Sequence, residues 1–290
     1  MEVNLSWNCD LQTADDARLT CCSTMIRLEQ INHTYPNGTR ALSDISLAIG
    51  AEAFTVLIGP SGAGKSTLMR ILNGLVRPSS GKVFIDCLEL SRAPSARVLE
   101  ARRSIGMVFQ QFNLVKRLNA LENVLIGRLG FMGGWRSTFK MYTREDTELA
   151  FMALERVGMA DFAWQRSDTL SGGQQQRIGI ARALAQQPKL ILADEPISAL
   201  DPKSSEQIMT LLRQIQVEDG IAVIANLHHL DAVREYAGRV VALRKGALVF
   251  DGTPAQLTDA ITRDLYYAEQ PSFDPALEVI PTAPIYSVNA

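Results

Sequence analysis

The sequence predicts an α/β fold: a mainly parallel sheet covered by helices and interrupted by an inserted α-helical subdomain. Two patterns carry this expectation. Short apolar runs of strand length alternate with stretches whose apolar residues recur at helical spacing. The alternation lapses between about Leu118 and Trp164, where helical spacing alone remains, and strand-like runs return at Leu190.

The first 24 residues show no sustained period. A strand pattern begins at Met25 with Ile26, Leu28 and Ile31, and the turn residues Tyr35-Pro36-Asn37-Gly38 follow it. Phe54 to Ile58 is a short apolar strand, then come glycines and the helical run Leu68 to Leu72. Gly81 to Ile85 and Ile105 to Phe109 read as further strands. Inside the insertion, Leu149, Met152, Leu154 and Val157 keep helical spacing. The helix from Lys203 sets Ile208, Leu211, Leu212 and Ile215 on one face. Strands Ile221 to Ala225, Arg239 to Leu243 and Ala247 to Phe250 complete the core. Prolines at 271, 275, 281 and 284 make the stretch from Gln270 irregular. The expected organisation is an arm over residues 1–24, one domain over 25–258 with its helical subdomain at about 112–177, and a tail over 259–290.

Composition narrows the class. The chain of 290 residues can bury one large core or a core with a subdomain. A formal net charge of -2 supplies no basic field, which argues against a nucleic-acid partner. Apolar runs such as Ile221 to Ala225 are strand-sized, far below the roughly 18 residues that span a bilayer. The polar N-terminal stretch lacks the charged and apolar regions of a secretory signal. Four cysteines (Cys9, Cys21, Cys22, Cys87) form no disulfide scaffold in a chain of this length. A soluble, reduced, cytosolic protein is expected.

Gly59-Pro60-Ser61-Gly62-Ala63-Gly64-Lys65-Ser66-Thr67 fits the phosphate-binding pattern G-x-x-x-x-G-K-[ST]. Glycines let the backbone curl so that N–H groups point at phosphate oxygens, and the following helix adds its positive N-terminus. Lys65 reaches the β- and γ-phosphates, and the Ser66 hydroxyl is a ligand for Mg²⁺. Leu190 to Asp194 is an apolar strand ending in two carboxylates, Asp194 and Glu195. Asp194 is placed to hold Mg²⁺ beside Ser66, and Glu195 to polarise an attacking water. Gln110, at the end of the strand Ile105 to Phe109, could touch Mg²⁺ or that water. His228 could donate to the γ-phosphate, with His229 a competitor, and His33 reads as a surface residue. Tyr35 could stack on adenine or simply pack. Asp201 could cap the helix that Pro202 starts, or reach across a dimer interface. A second glycine-rich turn, Leu170-Ser171-Gly172-Gly173-Gln174, opens a further helix. One chain thus carries two different phosphate-seeking loops.

Taken together these segments resemble the nucleotide-binding subunits of ABC transporters, in motif order from about Met25 to Thr258. The resemblance implies a P-loop NTPase (RecA-like) core with an antiparallel β edge, and ATP and Mg²⁺ as cofactors. It makes Gly59 to Thr67 the Walker A loop, Gln110 the Q-loop glutamine and Leu170 to Gln174 the signature. Leu190 to Asp194 becomes Walker B with Glu195 as base, Ser198 to Asp201 the D-loop, His228 the switch histidine and Tyr35 the adenine-stacking aromatic. In that family the signature of one subunit meets nucleotide held by another, so Ser171, Gly172, Gly173 and Gln174 are expected to act in trans in a head-to-tail homodimer.

Within the family the chain is most similar to the ATP-binding subunits of phosphonate importers, through Ile126 to Gly130, Trp135-Arg136-Ser137, Leu227-His228 with Asp231, and Val249 to Gly252. This implies two membrane permease subunits, an extracytoplasmic solute-binding protein reached through them, and a peripheral position at the cytoplasmic face of the inner membrane. Coupling is expected in about Asn113 to Lys140, where Trp135 and Phe139 either meet a membrane subunit or fill the subdomain core. Asn226 departs from the pattern, since Ser is usual before the Leu-His pair. The alternatives are an importer cassette for another small solute and a soluble accessory ATPase of a carbon–phosphorus lyase complex. These subunits typically begin near the position of Met25, so Met1 to Thr24 is read as either a disordered arm or residues upstream of the true start. Mass spectrometry of the native N-terminus separates the two, and a chain beginning at Met1 refutes the second.

Overall fold

The computed structural model describes residues 24–50, 54–86, 88–133, 135 and 138–267. The expected arm apart from Thr24, the proline-rich stretch from Gln270, and Cys87, Arg136 and Ser137 lie outside the described residues.

In chain order the elements are β1 (Thr24–Thr34), β2 (Arg40–Gly50), β3 (Phe54–Ile58), α1 (Lys65–Leu72), β4 (Ser80–Ile85), β5 (Leu88–Glu89), α2 (Ser95–Arg103) and β6 (Ile105–Val108). The insertion then supplies α3 (Ala120–Leu125) and α4 (Arg144–Arg156), and α5 (Gly172–Leu184) leads back to the sheet. β7 (Leu190–Asp194), α6 (Pro202–Glu218), β8 (Ala222–Asn226), α7 (Leu230–Tyr236), β9 (Arg239–Arg244), β10 (Ala247–Gly252) and α8 (Asp259–Tyr267) follow.

A six-stranded sheet runs in the order β10-β9-β3-β8-β7-β6, all parallel except the edge strand β10. A four-stranded antiparallel sheet, β2-β1-β4-β5, faces it. Every residue of β3, β6 and β8 is buried, which is why these segments read as unbroken apolar runs: both faces of the parallel sheet are covered. The two-residue strand period sorts them between two cores. Val56, Ile191, Ala193, Val223 and Val240 face the helices of one side; Leu57, Leu190, Leu192, Ile224 and Val241 face α1 and the antiparallel sheet on the other. β2 gave no periodic signal that stood out in the sequence, yet Leu42, Ile45 and Ile49 are buried where it pairs alongside β1. The start of the expected tail is also ordered, as α8 seats Leu265 in the helical-side core.

The helical subdomain is held by buried ions as well as apolar contacts. Arg128 donates from Nε to Asp146 Oδ1 at 2.9 Å and from a terminal nitrogen to the Ala185 carbonyl at 3.1 Å, and its guanidinium lies over the Phe131 ring. Asp146 also closes the first turn of α4 with Thr143. Burial pushes the Asp146 carboxyl up, but the Thr143 amide and Arg128 outweigh it and leave the group below its ordinary value. Its stabilising contribution is therefore complete above the unfolded value near ~3.9 and is lost as pH falls through the lower folded value. No helix among the described residues is long and apolar enough to cross a membrane. Arg128→Met strands a buried carboxylate and is expected to lower stability by roughly 3 kcal/mol, read as a reduced urea midpoint; Arg128→Met/Asp146→Leu should recover most of that loss.

Candidate active site

The phosphate loop leaves the carboxyl end of β3. Gly59, Gly62 and Gly64 all have positive φ, at 144°, 79° and 101°. Two of these are also close approaches: a Cβ on Gly59 would strike the Leu243 carbonyl oxygen, and one on Gly64 that of Ala41. The loop turns directly into α1, so Lys65 is the first helical residue. Its ammonium donates to the carbonyls of Gly59 at 2.6 Å and Pro60 at 3.0 Å. Burial lowers the Lys65 pKa, while the carboxylates of Glu195 and Asp194 oppose that fall by favouring the charged form.

β7 and β8 end beside this loop. Ser66 Oγ donates to Asp194 Oδ1 at 3.2 Å, and Asn226 Nδ2 donates to the same oxygen at 2.8 Å. Glu195 follows with a left-handed backbone, φ 50°, a conformation that costs a non-glycine residue about 1–2 kcal/mol. Its Oε1 lies 2.8 Å from His228 Nε2, and the neighbouring Pro196 carbonyl accepts from buried Gln176 at 2.8 Å. The strained residue is thus anchored on both sides.

Tyr35 arrives from the β1–β2 turn, its hydroxyl 3.0 Å from Thr67 Oγ1. His33 braces that ring edge-on at 4.7 Å and is buried, which corrects its reading as a surface residue: on β1 it points under the hairpin rather than out. Tyr35, Ser61 to Thr67, Glu195, Asn226 and His228 line one groove of about 410 Å³. His229 faces the separate cleft between α6 and α7, so His228 alone of the two meets Glu195.

Other expected residues stand apart. Gln110 is exposed past the end of β6, the far edge of the sheet, and does not line the groove. Ser171 caps α5, accepting from Gln174 N at 3.3 Å while Gln174 Oε1 accepts from Ser171 N at 2.9 Å. The signature residues Ser171 to Gln174 do not line the groove either, and Gly173 packs against Ser204 of α6. Asp201 caps α6 by accepting from Ser204 N at 2.9 Å, and hydrogen bonding from the Ser204 hydroxyl, then from its amide, holds the carboxyl below its ordinary value. Sequence reasoning missed Arg182, which donates to the Phe112 carbonyl at 3.0 Å and the Asn113 carbonyl at 2.6 Å and so ties α5 to the segment after Gln110. It also treated Asn226 only as a departure. Its one signal was an amide ending an apolar strand.

The oxygen donors Ser66 and Asp194, with no cluster of three or more His, Cys, Asp or Glu among the described residues, suit a small hard dication that takes its other ligands from phosphate and water.

The family model for ABC transporters matches residues 42–198. The chain belongs to the ABC transporter family. It is 49% identical over 254 residues to the phosphonates import ATP-binding protein PhnC of Thiobacillus denitrificans, covering 88% of this chain and 97% of that relative. A protein of the same name from Lactobacillus johnsonii is 46% identical over 242 residues, covering 83% and 95%. Among solved structures, the ATP-binding cassette MJ0796 in a dimeric post-hydrolysis state bound to ADP and Pi superposes with a TM-score of 0.70 at 36% identity, covering 79% of this chain and 99% of that one. The protein cbiO1 of Clostridium perfringens, part of the ABC transporter complex cbiONQ, gives 0.71 at 30% identity over 85% and 96%.

This ABC cassette binds ATP. Because Gly59 combines a positive φ with a carbonyl contact while Gly62 meets nothing within 4 Å, Gly59→Ala is expected to abolish ATP binding or folding. Gly62→Ala should lose only about 1–2 kcal/mol; urea unfolding and nucleotide titration of both variants check the contrast.

Proposed function

We propose that the chain is the ATP-hydrolysing subunit of an importer that takes up phosphonates or a related phosphorus oxyanion. The chemistry rests on one observation: Glu195, paired with His228 at 2.8 Å, lines the same groove as the phosphate loop. The substrate class rests on relatives at 45–49% identity that carry the phosphonate-import name. The ATPase domain is assigned to residues 25–258, with the helical subdomain at about 112–177.

ATP binds with its phosphates on the loop amides and Lys65, and with adenine on the Tyr35 ring. Ser66 and Asp194 would hold Mg²⁺, which when bound would neutralise phosphate charge. Gln110, on the segment after β6, would complete that set. Glu195 orients the water and takes its proton, while His228 steadies the Glu195 carboxylate and donates toward the γ-phosphate.

Two copies close head to tail, each offering Ser171, Gly172, Gly173 and Gln174 to the other's nucleotide, with Asp201 at the seam. The exposure of Ser171 away from its own groove and the dimeric form of MJ0796 support this arrangement. Closure drives two membrane permease subunits, served by an extracytoplasmic solute-binding protein, from the cytoplasmic face of the inner membrane. The coupling surface lies in Asn113 to Lys140. Trp135 and Phe139 are 65% and 73% exposed there, which speaks against the reading of them as subdomain core.

Glu195→Gln should cut turnover at least about 100-fold while leaving ATP binding intact and trapping a dimer by size-exclusion chromatography; retained turnover refutes the base assignment. Ser171→Arg should block hydrolysis without weakening ATP binding to the monomer, and weakened monomer binding would count against action in trans.

A further inference from the structure

We propose that Asn226 is a positioning residue for the divalent cation that accompanies ATP: its amide nitrogen fixes Asp194, and its amide oxygen accepts a hydrogen bond from water on that cation. The inference rests on the reading of the groove as an Mg²⁺–ATP site and adds to it a residue and a function.

Asn226 ends β8 in register with Asp194 of β7 on one side and Leu57 of β3 on the other. It is fully buried, in a strand otherwise made of Ala222, Val223, Ile224 and Ala225. Its orientation is dictated by chemistry. An ionised carboxylate only accepts, so the Asn226 Nδ2 must face Asp194, as the 2.8 Å contact has it, and Oδ1 must face elsewhere. That oxygen is buried, and no donor among the described residues reaches it. Buried amide oxygens are almost always satisfied, and an apolar residue would suit the strand better if packing were the only demand.

The hydrogen bonds that nearby donors make go elsewhere. The Ser66 hydroxyl proton goes to Asp194, and Lys65 spends hydrogen bonds on Gly59 and Pro60. Both protein hydrogen bonds to Asp194 fall on Oδ1. A donor that arrives with the ligand would satisfy the Asn226 Oδ1, and a small dication that keeps several waters in a nucleotide site brings O–H groups to this groove. Asn226 lines the groove beside Ser66, so its amide serves the carboxylate on one side and the hydrated ion on the other.

The test is equilibrium binding of a fluorescent ATP analogue to the full chain during Mg²⁺ titration, with the wild type, Asn226→Leu, Asn226→Ser and Lys65→Ala. Leu removes both polar atoms at similar volume, whereas Ser keeps a donor for Asp194 and lacks the amide oxygen. Asn226→Leu should bind the Mg²⁺-free analogue as the wild type does but require roughly tenfold more Mg²⁺ to reach half-saturation, with Asn226→Ser in between. An unchanged Mg²⁺ midpoint in Asn226→Leu, or in Asn226→Ser should Leu prevent folding, overturns the proposal, as does equal weakening with and without Mg²⁺. If Lys65→Ala binds the analogue as tightly as the wild type, the nucleotide-site reading fails instead, a result distinct from an unmoved Mg²⁺ midpoint.

Discussion

The pairing of β3 with β8 and of β8 with β7 decides where this chain can do chemistry. In that register Leu57, Asn226 and Asp194 lie side by side, so three parallel strands release their chains at one level. Side chains and backbone N–H groups freed at that edge have no ladder partner and are available to a ligand. The phosphate loop, the two carboxylates and the His228 segment all emerge there. Had β7 slipped by one residue, Asp194 would exchange faces with Ala193 and the hydroxyl of Ser66 would meet a methyl group.

Holding that register requires apolar cover on both faces of the sheet. α1 and the antiparallel sheet cover one face, and α5, α6 and the helical subdomain cover the other. The cover is also the wiring. α5 begins at the exposed Ser171, passes Gln176 to the carbonyl beside Glu195, and ends with Arg182 gripping Phe112 and Asn113. One helix therefore touches the strand end at Glu195, the segment after Gln110, and the exposed turn at Ser171. A displacement of the helical subdomain would be felt at all three.

The strands of the parallel sheet were legible because residues buried on both faces are apolar without interruption, and the phosphate loop because its glycines answer a backbone demand that no other residue meets. The carboxylate pair was equally plain at the end of an apolar strand. His33 was misread because a lone histidine on a hairpin carries no local sign of which side of the sheet it occupies. α8 was missed because its apolar residues, Ile261, Leu265 and Tyr266, are few and their burial depends on a distant core. Asn226 drew notice as an oddity, but its meaning depends on a carboxylate 32 positions earlier in the chain.

What the amino-acid sequence determined by itself was the set of chemical groups and their local frames: a loop for phosphate, a glycine-rich turn opening a helix after Ser171, carboxylates at a strand end. These follow from spacing over a few residues, which backbone geometry converts directly into direction. Only the tertiary structure decided which of them meet. It joined Tyr35 to Thr67 and Ser66 to Asp194, across 32 and 128 positions. It turned His228 rather than His229 to Glu195, and kept Gln110 and the signature out of the groove. Those outcomes depend on sheet order and strand register, which are set by the burial of whole faces and have no expression in any short segment.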